Sequence, residues 1–422
     1  MQEYDTVQDA DVVVIGGGAA GMFSACLLAE KKLRVMLIEP NHKLGRKLRI
    51  TGKGRCNLTN NSSPDDVIKK INRNSKFMYS SLNRFTPQDV MMWFENRGVP
   101  LKTERGGRVF PVSDKADDVA DAMQKLLEHK NVKIIRDRAV SIMTDGGKVI
   151  GTECEKCSYF AKNVILATGG MSYPKTGSTG DGYRMAERLG HTVTELKPSL
   201  VPVVLSEEYV ADLSGLALKN VTLSLYEEGR KQPVFSELGE MNFLTYGISG
   251  PLTLSASCFM QTEKLEKKKY TIAIDLKPGL SHEQLERRID RDFGDTPSEK
   301  FENSLTRLLP SQLIDTVVKL SKIPPNKQCN QITRAEREGL CRLLKRFELT
   351  PESLRPIDEA IITSGGISVK EINPVTMESK LVKGLYFAGE IIDVDAVTGG
   401  YNLQIAFSTS NAAAQAIYNS VL

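Results

Sequence analysis

A glycine-rich turn near the N-terminus constrains the fold of this chain more than any other feature. Gly16, Gly18 and Gly21 form the pattern G-x-G-x-x-G. The β-branched run Asp11–Ile15 predicts a strand before the turn, and the small residues of Ala19–Lys31 predict a helix directly after it. Glycines at these positions let the backbone approach a pyrophosphate, and the helix N-terminus supplies N–H donors. The segment therefore predicts the start of a dinucleotide-binding unit.

The residues that follow complete a βαβ pattern. Arg34–Ile38 predicts a second strand, and Glu39 lies at its end, 23 residues after Gly16. An acid at this place accepts hydrogen bonds from ribose hydroxyls and disfavours a 2′-phosphate. The dinucleotide contacts expected from this unit are Gly16, Gly18, Ala19, Ala20, Gly21 and Glu39.

Two further glycine-rich segments favour FAD over NAD. The first, Ala167–Gly170, ends a predicted buried strand that begins at Val164. The second begins with the predicted strand Gly384–Ala388 and continues through acids and glycines to a C-terminal helix. The start of that helix would point N–H groups at the flavin edge that becomes anionic on reduction. The flavin contacts expected here are Ala167, Thr168, Gly169, Gly170, Gly389, Glu390, Asp393, Gly400, Tyr401, Asn402 and Leu403.

Length and charge bound the remaining possibilities. A chain of 422 residues suggests two or three domains, and a net charge of +4 excludes binding of nucleic acid over the whole surface. Two uncharged runs, 12–29 and 396–422, carry too many glycines or polar residues for a membrane span. Seven scattered cysteines and an acidic N-terminus lead us to expect a cytoplasmic protein. The four dispersed histidines predict no metal site.

The pattern of predicted elements divides the chain. Helices alternate with short strands up to about residue 193, and this α/β pattern returns near the C-terminus. We therefore predict a discontinuous FAD-binding domain, residues 1–193 and 356–422. The interrupting residues are expected to form a β-rich part, 194–280, and a polar helical part, 281–355.

Six segments together resemble one bacterial family of NAD(P)/FAD-dependent oxidoreductases. In chain order they read GGGAAGM, GRKLRITGKGRCNLTNN, ERGGRVFPVSDKADDV, ATGGMSYPKTGSTGDGY, YGISGP and FAGEIIDVDAVTGGYNLQIA. The family includes a 3-dehydro-bile-acid reductase, an aminoacetone oxidase and a ribosomal-RNA dihydrouridine synthase. The resemblance implies an α/β fold, with a Rossmann-like FAD-binding domain of the two-dinucleotide-binding-domain type. An inserted β-barrel-like and helical domain would interrupt it.

One position departs from the family pattern. Relatives often carry Phe-Thr-His before the Gly-hydrophobic-Ser-Gly-Pro segment, whereas Thr245 occupies the place of that histidine here. Any acid–base role of the histidine is therefore not carried over to this chain, and the substrate is not carried over either.

The loop Leu44–Asn61 contains five basic residues and no acidic residue. It directly follows the predicted ribose-binding strand, so we expect it to fold over the FAD pyrophosphate and the flavin edge. Lys53 and Arg49 are the cations expected to face a substrate. Two alternatives are a solvated basic loop and a patch for an RNA backbone. The FAD contacts expected from the loop are Arg46, Lys47, Gly52, Arg55 and Asn57.

Several residues are candidates for catalysis. Cys56 lies among glycines and cations, surroundings that lower the pKa of a thiol and favour the thiolate. It could donate a proton beside the flavin, or it could pack against the ring. Tyr173 and Lys175 follow the ATGG segment and are further catalytic candidates. Asp181 and Val140 are further expected cofactor contacts.

Three residues are expected to contact the substrate. The resemblance places Arg108, in a glycine-rich hairpin, near the mouth of the active site. Ser249 reads as the start of a helix that could hold a carbonyl oxygen or an anion, and Tyr246 lies just before it.

These features predict an FAD-dependent oxidoreductase that reduces a C=C bond conjugated to a carbonyl, as in a bile-acid or steroid-like enone. NADH or NADPH would visit transiently as the electron source, because one dinucleotide fingerprint is present. The alternatives are a ribosomal-RNA dihydrouridine synthase, an aminoacetone-type amine oxidase that uses oxygen, and a flavin-binding protein without turnover. A small molecule is the expected partner, ribosomal RNA is the alternative, and no membrane partner is expected.

Overall fold

A computed structural model describes residues 8–129 and 131–421 of the chain. The strands, in chain order, are β1 Gln8–Asp9, β2 Val12–Ile15, β3 Val35–Ile38, β4 Thr59–Asn60, β5 Ile71–Arg73, β6 Leu101–Thr103, β7 Arg108–Pro111, β8 Val132–Ile135, β9 Ala139–Asp145, β10 Lys148–Cys154, β11 Ser158–Phe160, β12 Asn163–Leu166, β13 Lys197–Ser199, β14 Val203–Leu205, β15 Ala217–Glu227, β16 Phe235–Leu244, β17 Gly247–Ser249, β18 Tyr270–Asp275, β19 Phe347–Leu349, β20 Pro351–Leu354, β21 Ile362–Ser364, β22 Leu385–Phe387 and β23 Asp395–Ala396.

The helices are α1 Ala19–Glu30, α2 Arg46–Ile50, α3 Pro64–Lys70, α4 Tyr79–Arg84, α5 Pro87–Glu95, α6 Ala116–Leu127, α7 Asp181–Arg188, α8 Pro251–Ser257, α9 Thr262–Glu266, α10 His282–Asp295, α11 Phe301–Ser304, α12 Ser311–Ser321, α13 Arg334–Lys345 and α14 Tyr401–Val421. Capping boxes begin three of them: the side chains of Thr86, Ser281 and Thr333 accept from the backbone N–H three residues later. None of the helices in residues 8–129 and 131–421 is long and apolar enough to cross a membrane.

The chain forms two compact units. One consists of Met1–Ser199 and Ile357–Leu422, and the other is Leu200–Pro356. In the first unit, β13 precedes the second unit in sequence and β21 follows it, and the two strands pair antiparallel. In the second unit, β14 and β20 pair antiparallel at its two ends. The chain therefore leaves and re-enters each unit through neighbouring strands, as expected for an inserted segment.

A five-stranded parallel sheet forms the centre of the first unit, with the order β22-β12-β2-β3-β8. Four of its strands, β22, β12, β2 and β3, are buried along their whole length, because helices or loops cover both faces of such a sheet. The edge strand β8 is partly exposed. The order places the first strand, β2, beside the fourth, β12. This is the topological switch point of a Rossmann-like fold, outside which ligands bind at the carboxyl ends of the strands. The predicted α/β class and parallel sheet are confirmed.

Two helices rich in small residues lie against each other beside this sheet. α1 and α14 are buried over most of their lengths. Their alanines and serines allow close approach, and the Ser410 hydroxyl donates to the Ala20 carbonyl at 2.9 Å. This contact joins the middle of α14 to the first turn of α1, whose N-terminal end the sequence predicted to face the cofactor.

A curled seven-stranded sheet forms the second unit, in the order β19-β18-β15-β16-β17-β14-β20. Its outer strands, β19 and β20, are separated in sequence by Thr350 alone. Because the chain passes from one edge of the sheet to the other across a single residue, the sheet must curl until its edges approach each other. This curl gives the β-barrel-like character that the family resemblance implies.

The hydrophobic core of the second unit unites its strands and helices. Leu223 and Ile274 from the sheet share this core with Ile289, Val317 and Leu344 from α10, α12 and α13. The core therefore draws on both sides of the boundary predicted at residue 281. It forms because each amphipathic helix buries its apolar stripe against the sheet.

Candidate functional site

The carboxyl ends of β2 and β12 meet at the switch point. Gly16 follows β2 with φ of 106°, and a Cβ atom there would lie 2.5 Å from the Ala167 carbonyl oxygen, which follows β12. The Ala167 N–H donates to the Ile15 carbonyl at 2.9 Å. Two of the three predicted cofactor segments therefore touch, and only glycine fits at residue 16.

The N-terminus of α1 forms a cradle at this point. The first intrahelical bond runs from the Met22 N–H to the Gly18 carbonyl at 2.9 Å, so the N–H groups of the first turn have no intrahelical acceptor. A Cβ atom at Gly18 would meet nothing within 4 Å, whereas one at Gly21 would lie 1.8 Å from the Gly16 carbonyl oxygen. Open space before a helix N-terminus fits a pyrophosphate, so the residues present fit a dinucleotide.

Glu39 lies at the glycine turn, as the fingerprint predicts. One carboxylate oxygen accepts from the Gly17 N–H at 2.7 Å. The other accepts from the Asn41 backbone N–H at 2.8 Å and from its side-chain amide at 2.6 Å. The carboxylate is held in place by protein donors, and its ribose contact stays a prediction.

The cations of the loop 44–61 are mostly paired with carboxylates of the same unit. Arg49 has a side chain only 7% exposed and pairs with Asp117 and Asp121. It therefore faces α6, where two carboxylates balance its charge, and its expected substrate role stays a prediction. Among the described residues, no carboxylate pairs with Arg46 or with the exposed Lys53.

Arg55 is also occupied by protein groups. Its guanidinium pairs with Glu104 and Asp114 and lies 4.2 Å from the Phe110 ring centroid. Hydrogen bonds that Asp114 accepts from Lys102 and then from Arg55 lower its pKa, because they favour its charged form. Two carboxylates already balance the charge of Arg55. This geometry therefore does not support the expectation that Arg55 offsets phosphate charge.

Lys47 forms an ion pair with Glu390 across the site. Its ammonium donates to both Glu390 oxygens, at 2.9 and 2.7 Å, and to the Ser172 hydroxyl at 2.7 Å. Glu390 also accepts from the Thr363 N–H at 2.9 Å. This contact joins the basic loop to the segments that follow β12 and β22, and Ser172 and Thr363 are participants that the sequence did not reveal.

The N-terminus of α14 lies beside the basic loop. Both polar atoms of the Asn402 side chain bond the backbone of Ala396, at 3.0 and 2.8 Å. The Asn57 amide lies 3.2 Å from the Thr59 carbonyl and 3.1 Å from the Gly400 N–H. A Cβ atom at Gly400 would lie 2.4 Å from the Thr59 carbonyl oxygen. Asn57 and Asn402 therefore shape the helix start through backbone contacts, while Tyr401 and Leu403 in its first turn stay predicted contacts.

Two acids that follow β22 are buried. Asp393 pairs with Arg73, and its carbonyl accepts from the Asn74 amide at 2.6 Å. Asp395 accepts from the hydroxyls of Ser199 and Ser364, and burial raises its pKa. The expected flavin contact of Asp393 would compete with the Arg73 ion pair and stays a prediction.

Asp181 begins α7 and pairs with Arg138, at 2.5 Å, and with Arg184. Val140, in β9, is exposed and its carbonyl accepts from Arg188 at 3.2 Å. The two arginines balance the Asp181 charge, and cofactor contacts from Asp181 and Val140 stay predictions.

The structure contradicts the predicted thiolate at Cys56. The side chain is fully buried, and burial raises the pKa of the thiol to about 12. The neighbouring cations do not lower it, because Arg55 points to Glu104 and Asp114 instead. Cys56 also has a φ of 59°, unusual for a residue with a Cβ atom. At neutral pH the residue is a protonated thiol.

The other catalytic and substrate candidates lie in both units. In the first unit, Tyr173 is half-buried with φ of 51°, Lys175 is exposed, and the Arg108 guanidinium donates to the Arg105 carbonyl at 3.1 Å. In the second unit, the guanidinium carbon of Arg355 lies 4.8 Å from the Tyr246 ring centroid. Ser249 ends β17 and Gly250 is the N-cap of α8, so the predicted helix start at Ser249 is wrong. Their roles stay predictions.

Two buried hydroxyls near the switch point have no hydrogen-bond partner among the described residues. They are the Thr168 Oγ1, in a predicted flavin segment, and the Tyr183 Oη, on α7. Burial first and then the charges of Glu390 and Asp393 raise the pKa of Tyr183. Unpaired buried hydroxyls mark places where a bound polar group would be stabilised. The sequence reasoning missed Tyr183, although it lies two residues after Asp181.

No group of three or more potential metal ligands occurs in the part of the chain that the structure describes. Cys154 is buried and Cys157 is exposed, and burial raises the pKa of Cys154 to about 12.

Comparisons with known proteins agree with the fold. Residues 10–416 match the family described as HI0933-like protein Rossmann domain. The chain is 31% identical over 405 residues to the 3-dehydro-bile acid delta(4,6)-reductase of Clostridium scindens, covering 96% of this chain and 98% of that protein. It is 31% identical over 414 residues to the ribosomal RNA dihydrouridine synthase of Escherichia coli K12, covering 96% and 97%.

A solved structure of the open conformation of a flavocytochrome c3 fumarate reductase has a similar fold. The TM-score is 0.54 at 16% identity, and the match covers 99% of this chain and 79% of that one. At this identity the likeness concerns the fold alone.

Proposed function

Since the chain belongs to the family of HI0933-like proteins with a Rossmann domain, we propose that it is an FAD-dependent oxidoreductase. The observation that carries the proposal is the cradle at the switch point, where Gly18 leaves open space before the N-terminus of α1. FAD, when bound, supplies hydride transfer to the organic acceptor. The protein supplies the binding site, the orientation of the acceptor and the proton.

The residues that would hold FAD come from all three glycine-rich segments. The backbone N–H groups at the start of α1 would receive the pyrophosphate, and Glu39 would receive the ribose. The first turn of α14 would face the flavin edge, with Asn57 and Gly400 shaping its approach. Thr168 and Tyr183 offer buried hydroxyls without protein partners.

We propose that the acceptor is a C=C bond conjugated to a carbonyl, of the bile-acid or steroid-like enone type. The 31% identity to a 3-dehydro-bile acid delta(4,6)-reductase, over nearly the full length of both chains, supports this choice. Such an acceptor needs a proton at the carbon next to the carbonyl as well as a hydride at the β carbon. NADH or NADPH is the proposed electron source.

Cys56 is the first candidate for the proton donor. Burial keeps its Sγ protonated at neutral pH, which suits an acid rather than a nucleophile. Tyr173 and Lys175, which follow β12, are the second candidates. Arg108, Tyr246 and Ser249 stay candidate substrate contacts.

A second candidate function is reduction of uracil in ribosomal RNA. The 31% identity to a ribosomal RNA dihydrouridine synthase over 414 residues favours it, and the uracil ring also carries a C=C bond conjugated to a carbonyl. One observation argues against RNA as the substrate. Arg49 and Arg55 are paired with carboxylates, so fewer cations of the loop 44–61 are available to phosphates than its sequence predicts. Oxidation of an aminoacetone-type amine by oxygen is the third candidate.

One experiment separates these candidates. The purified protein is reduced anaerobically with NADH or NADPH and then mixed with a steroid enone, a uracil-containing ribosomal RNA fragment, or oxygen, while the flavin absorbance is followed by stopped flow. We expect the enone to reoxidise the flavin fastest. Faster reoxidation by the RNA fragment would assign the second function, and full reduction by an amine followed by reoxidation with oxygen would assign the third.

The matched control is a saturated steroid ketone, which has the same carbonyl but no conjugated C=C bond. It should leave the reduced flavin unchanged. Failure of both nicotinamides to reduce the flavin would contradict the proposed electron source, and absence of bound flavin would contradict the proposal as a whole.

A further inference from the structure

We propose that Lys47 and Glu390 form a clasp that holds the basic loop against the carboxyl end of the parallel sheet before FAD binds. In this proposal Lys47 is a positioning residue and not a ligand of the pyrophosphate. The effect on affinity rests on the proposed FAD site, whereas the effect on loop order does not.

The hydrogen-bond capacity of Lys47 supports its assignment as a positioning residue and not a ligand of the pyrophosphate. An ammonium group has three N–H donors, and three acceptors lie around this one. They are the two Glu390 oxygens, at 2.9 and 2.7 Å, and the Ser172 hydroxyl, at 2.7 Å. No donor is left over for a phosphate oxygen while these contacts persist.

The positions of the clasp residues in the chain support the proposal that the clasp holds the basic loop against the sheet. Lys47 and Glu390 are 343 residues apart in sequence, and the network also includes Ser172 and Thr363. These residues belong to helix α2 within the basic segment 44–61, the loop after β12, strand β21 and the turn after β22. The network therefore ties together the loops that surround the predicted flavin site.

The fit around the clasp is tight. A Cβ atom at Gly170 would lie 2.4 Å from the Thr363 hydroxyl and 3.2 Å from a Glu390 oxygen. The Lys47 and Glu390 side chains are 20% and 21% exposed, so both charges are partly removed from water. Losing either partner would leave a half-buried charge without compensation, which favours rearrangement of the loop.

The test uses the full chain in its apo and FAD-loaded forms, with the variants Lys47→Met, Glu390→Gln and the double variant. Trypsin digestion of the apo-protein reports loop order without any cofactor, because Arg46, Arg49, Lys53 and Arg55 are potential cleavage sites. FAD titration by flavin fluorescence reports affinity.

We expect each single variant to increase cleavage within residues 44–61 and to weaken FAD binding ~10-fold, as for a broken, partly buried pair. The double variant should be little worse than either single variant, because both remove one interaction. The charge-swapped double variant, Lys47→Glu with Glu390→Lys, should recover part of the affinity.

Lys327→Met is the matched control. Lys327 donates to both oxygens of Glu336, at 2.6 and 2.8 Å, with side chains 22% and 26% exposed, but it lies in the second unit. The variant Lys327→Met should change neither trypsin cleavage within residues 44–61 nor the affinity for FAD.

Two results would overturn the clasp. If Lys47 binds a phosphate, Glu390→Gln should tighten FAD binding or leave it unchanged, because it removes an anion near the cofactor. If Glu390 binds the cofactor directly, the losses in the two single variants should add and apo-loop cleavage should not change. A wild-type protein that binds no FAD would contradict the proposed function, and the cleavage pattern would still decide the clasp.

Discussion

Two glycines of one turn are required for different reasons. A side chain at Gly21 would overlap the Gly16 carbonyl oxygen at 1.8 Å, so this residue allows the helix to approach the strand. A side chain at Gly18 would enter open space, and the backbone there, with φ of −81°, suits any residue. The requirement at Gly18 therefore concerns the ligand and not the fold.

We predict that Gly18→Val leaves thermal stability of the apo-protein nearly unchanged and abolishes FAD binding, because the side chain blocks the pyrophosphate. Gly21→Ala should lower both stability and binding. Thermal unfolding of the apo-proteins and FAD titration check this prediction. A Gly18→Val protein that retains the flavin absorbance after purification would contradict it.

Cys56 has two possible roles, as the proton donor to the substrate or as a residue that only packs in the site. If the thiol donates the proton, Cys56→Ala should keep FAD and fast reduction by nicotinamide, while reoxidation by the enone falls ~10²–10⁴-fold, as for a lost general acid. Stopped-flow measurement of the two half-reactions checks this. Near-normal reoxidation would leave Cys56 a packing residue and move the search to Tyr173 and Lys175.

Chemical labelling provides the control for this prediction. Because Cys56 is buried with a raised pKa, iodoacetamide at neutral pH should leave it unmodified while it labels the exposed Cys157. Rapid labelling of Cys56 in the native protein would contradict the buried thiol.

At the scale of elements, α14 is held by polar side chains inside the core. Gln404 is fully buried: its amide donates to the Phe85 carbonyl at 3.0 Å and to the Ser408 hydroxyl at 2.9 Å. Its oxygen accepts from the Thr59 hydroxyl at 2.6 Å. One side chain thus connects the C-terminal helix to β4 and to the end of α4.

We predict that Gln404→Leu lowers the free energy of unfolding by about 2–3 kcal/mol, because it leaves buried hydrogen-bonding groups unpaired. Gln415→Leu, at a half-buried position of the same helix, is the matched control and should change the free energy of unfolding by less than about 0.5 kcal/mol. Urea unfolding measures both. Equal effects of the two variants would show that the buried network does not stabilise the helix.

At the scale of the whole molecule, one buried histidine couples stability to pH. The His191 Nε2 lies 2.9 Å from the Ser379 hydroxyl, and that oxygen accepts from the N–H groups of Leu381 and Val382. Ser379 therefore donates to Nε2, and Nδ1 carries the proton toward Glu371. Burial lowers the pKa of His191, against the opposing effect of Glu371.

Because the pKa of His191 is lower in the folded state, protonation below the ordinary histidine pKa of about 6.5 favours the unfolded state. The contribution of His191 to stability is therefore complete above this pH and is lost as the pH falls further. We predict that the free energy of unfolding decreases between about pH 7.5 and 5.5 and that His191→Gln reduces this slope. His42→Gln, at an exposed position, is the control. Urea unfolding at several pH values measures the slope, and an unchanged slope in His191→Gln would refute the assignment.

The insert has a core of its own, and its terminal strands pair with each other. Val203 of β14 pairs with Leu354 of β20. We predict that residues 200–356 fold as an isolated fragment with cooperative thermal unfolding. A fragment that ends at residue 349 lacks β20 and should not unfold cooperatively. Circular dichroism during heating checks both, and a non-cooperative 200–356 fragment would contradict an independent unit.

Local sequence patterns were enough to predict the parts of the fold that depend on neighbouring residues. The strand, glycine turn and helix of the βαβ unit follow from local patterns, because a pyrophosphate cradle needs glycines and a helix start within a few residues. The predicted helix Ala19–Lys31 ends one residue earlier in the structure, and the predicted strands Asp11–Ile15 and Arg34–Ile38 each begin one residue later. The change of pattern near residue 194 likewise indicated the insert.

Which cations are paired depends on contacts between residues that are far apart in the chain. Five cations in one loop predicted a phosphate or RNA site, but the acids that pair with Arg49 and Arg55 lie 49 to 72 residues further along the chain, and Glu390 lies 343 residues beyond Lys47. The same folding buried Cys56 and raised its pKa where its neighbours in sequence predicted a lower one. Electrostatic energy depends on distance and burial in space, and sequence separation carries no information about either.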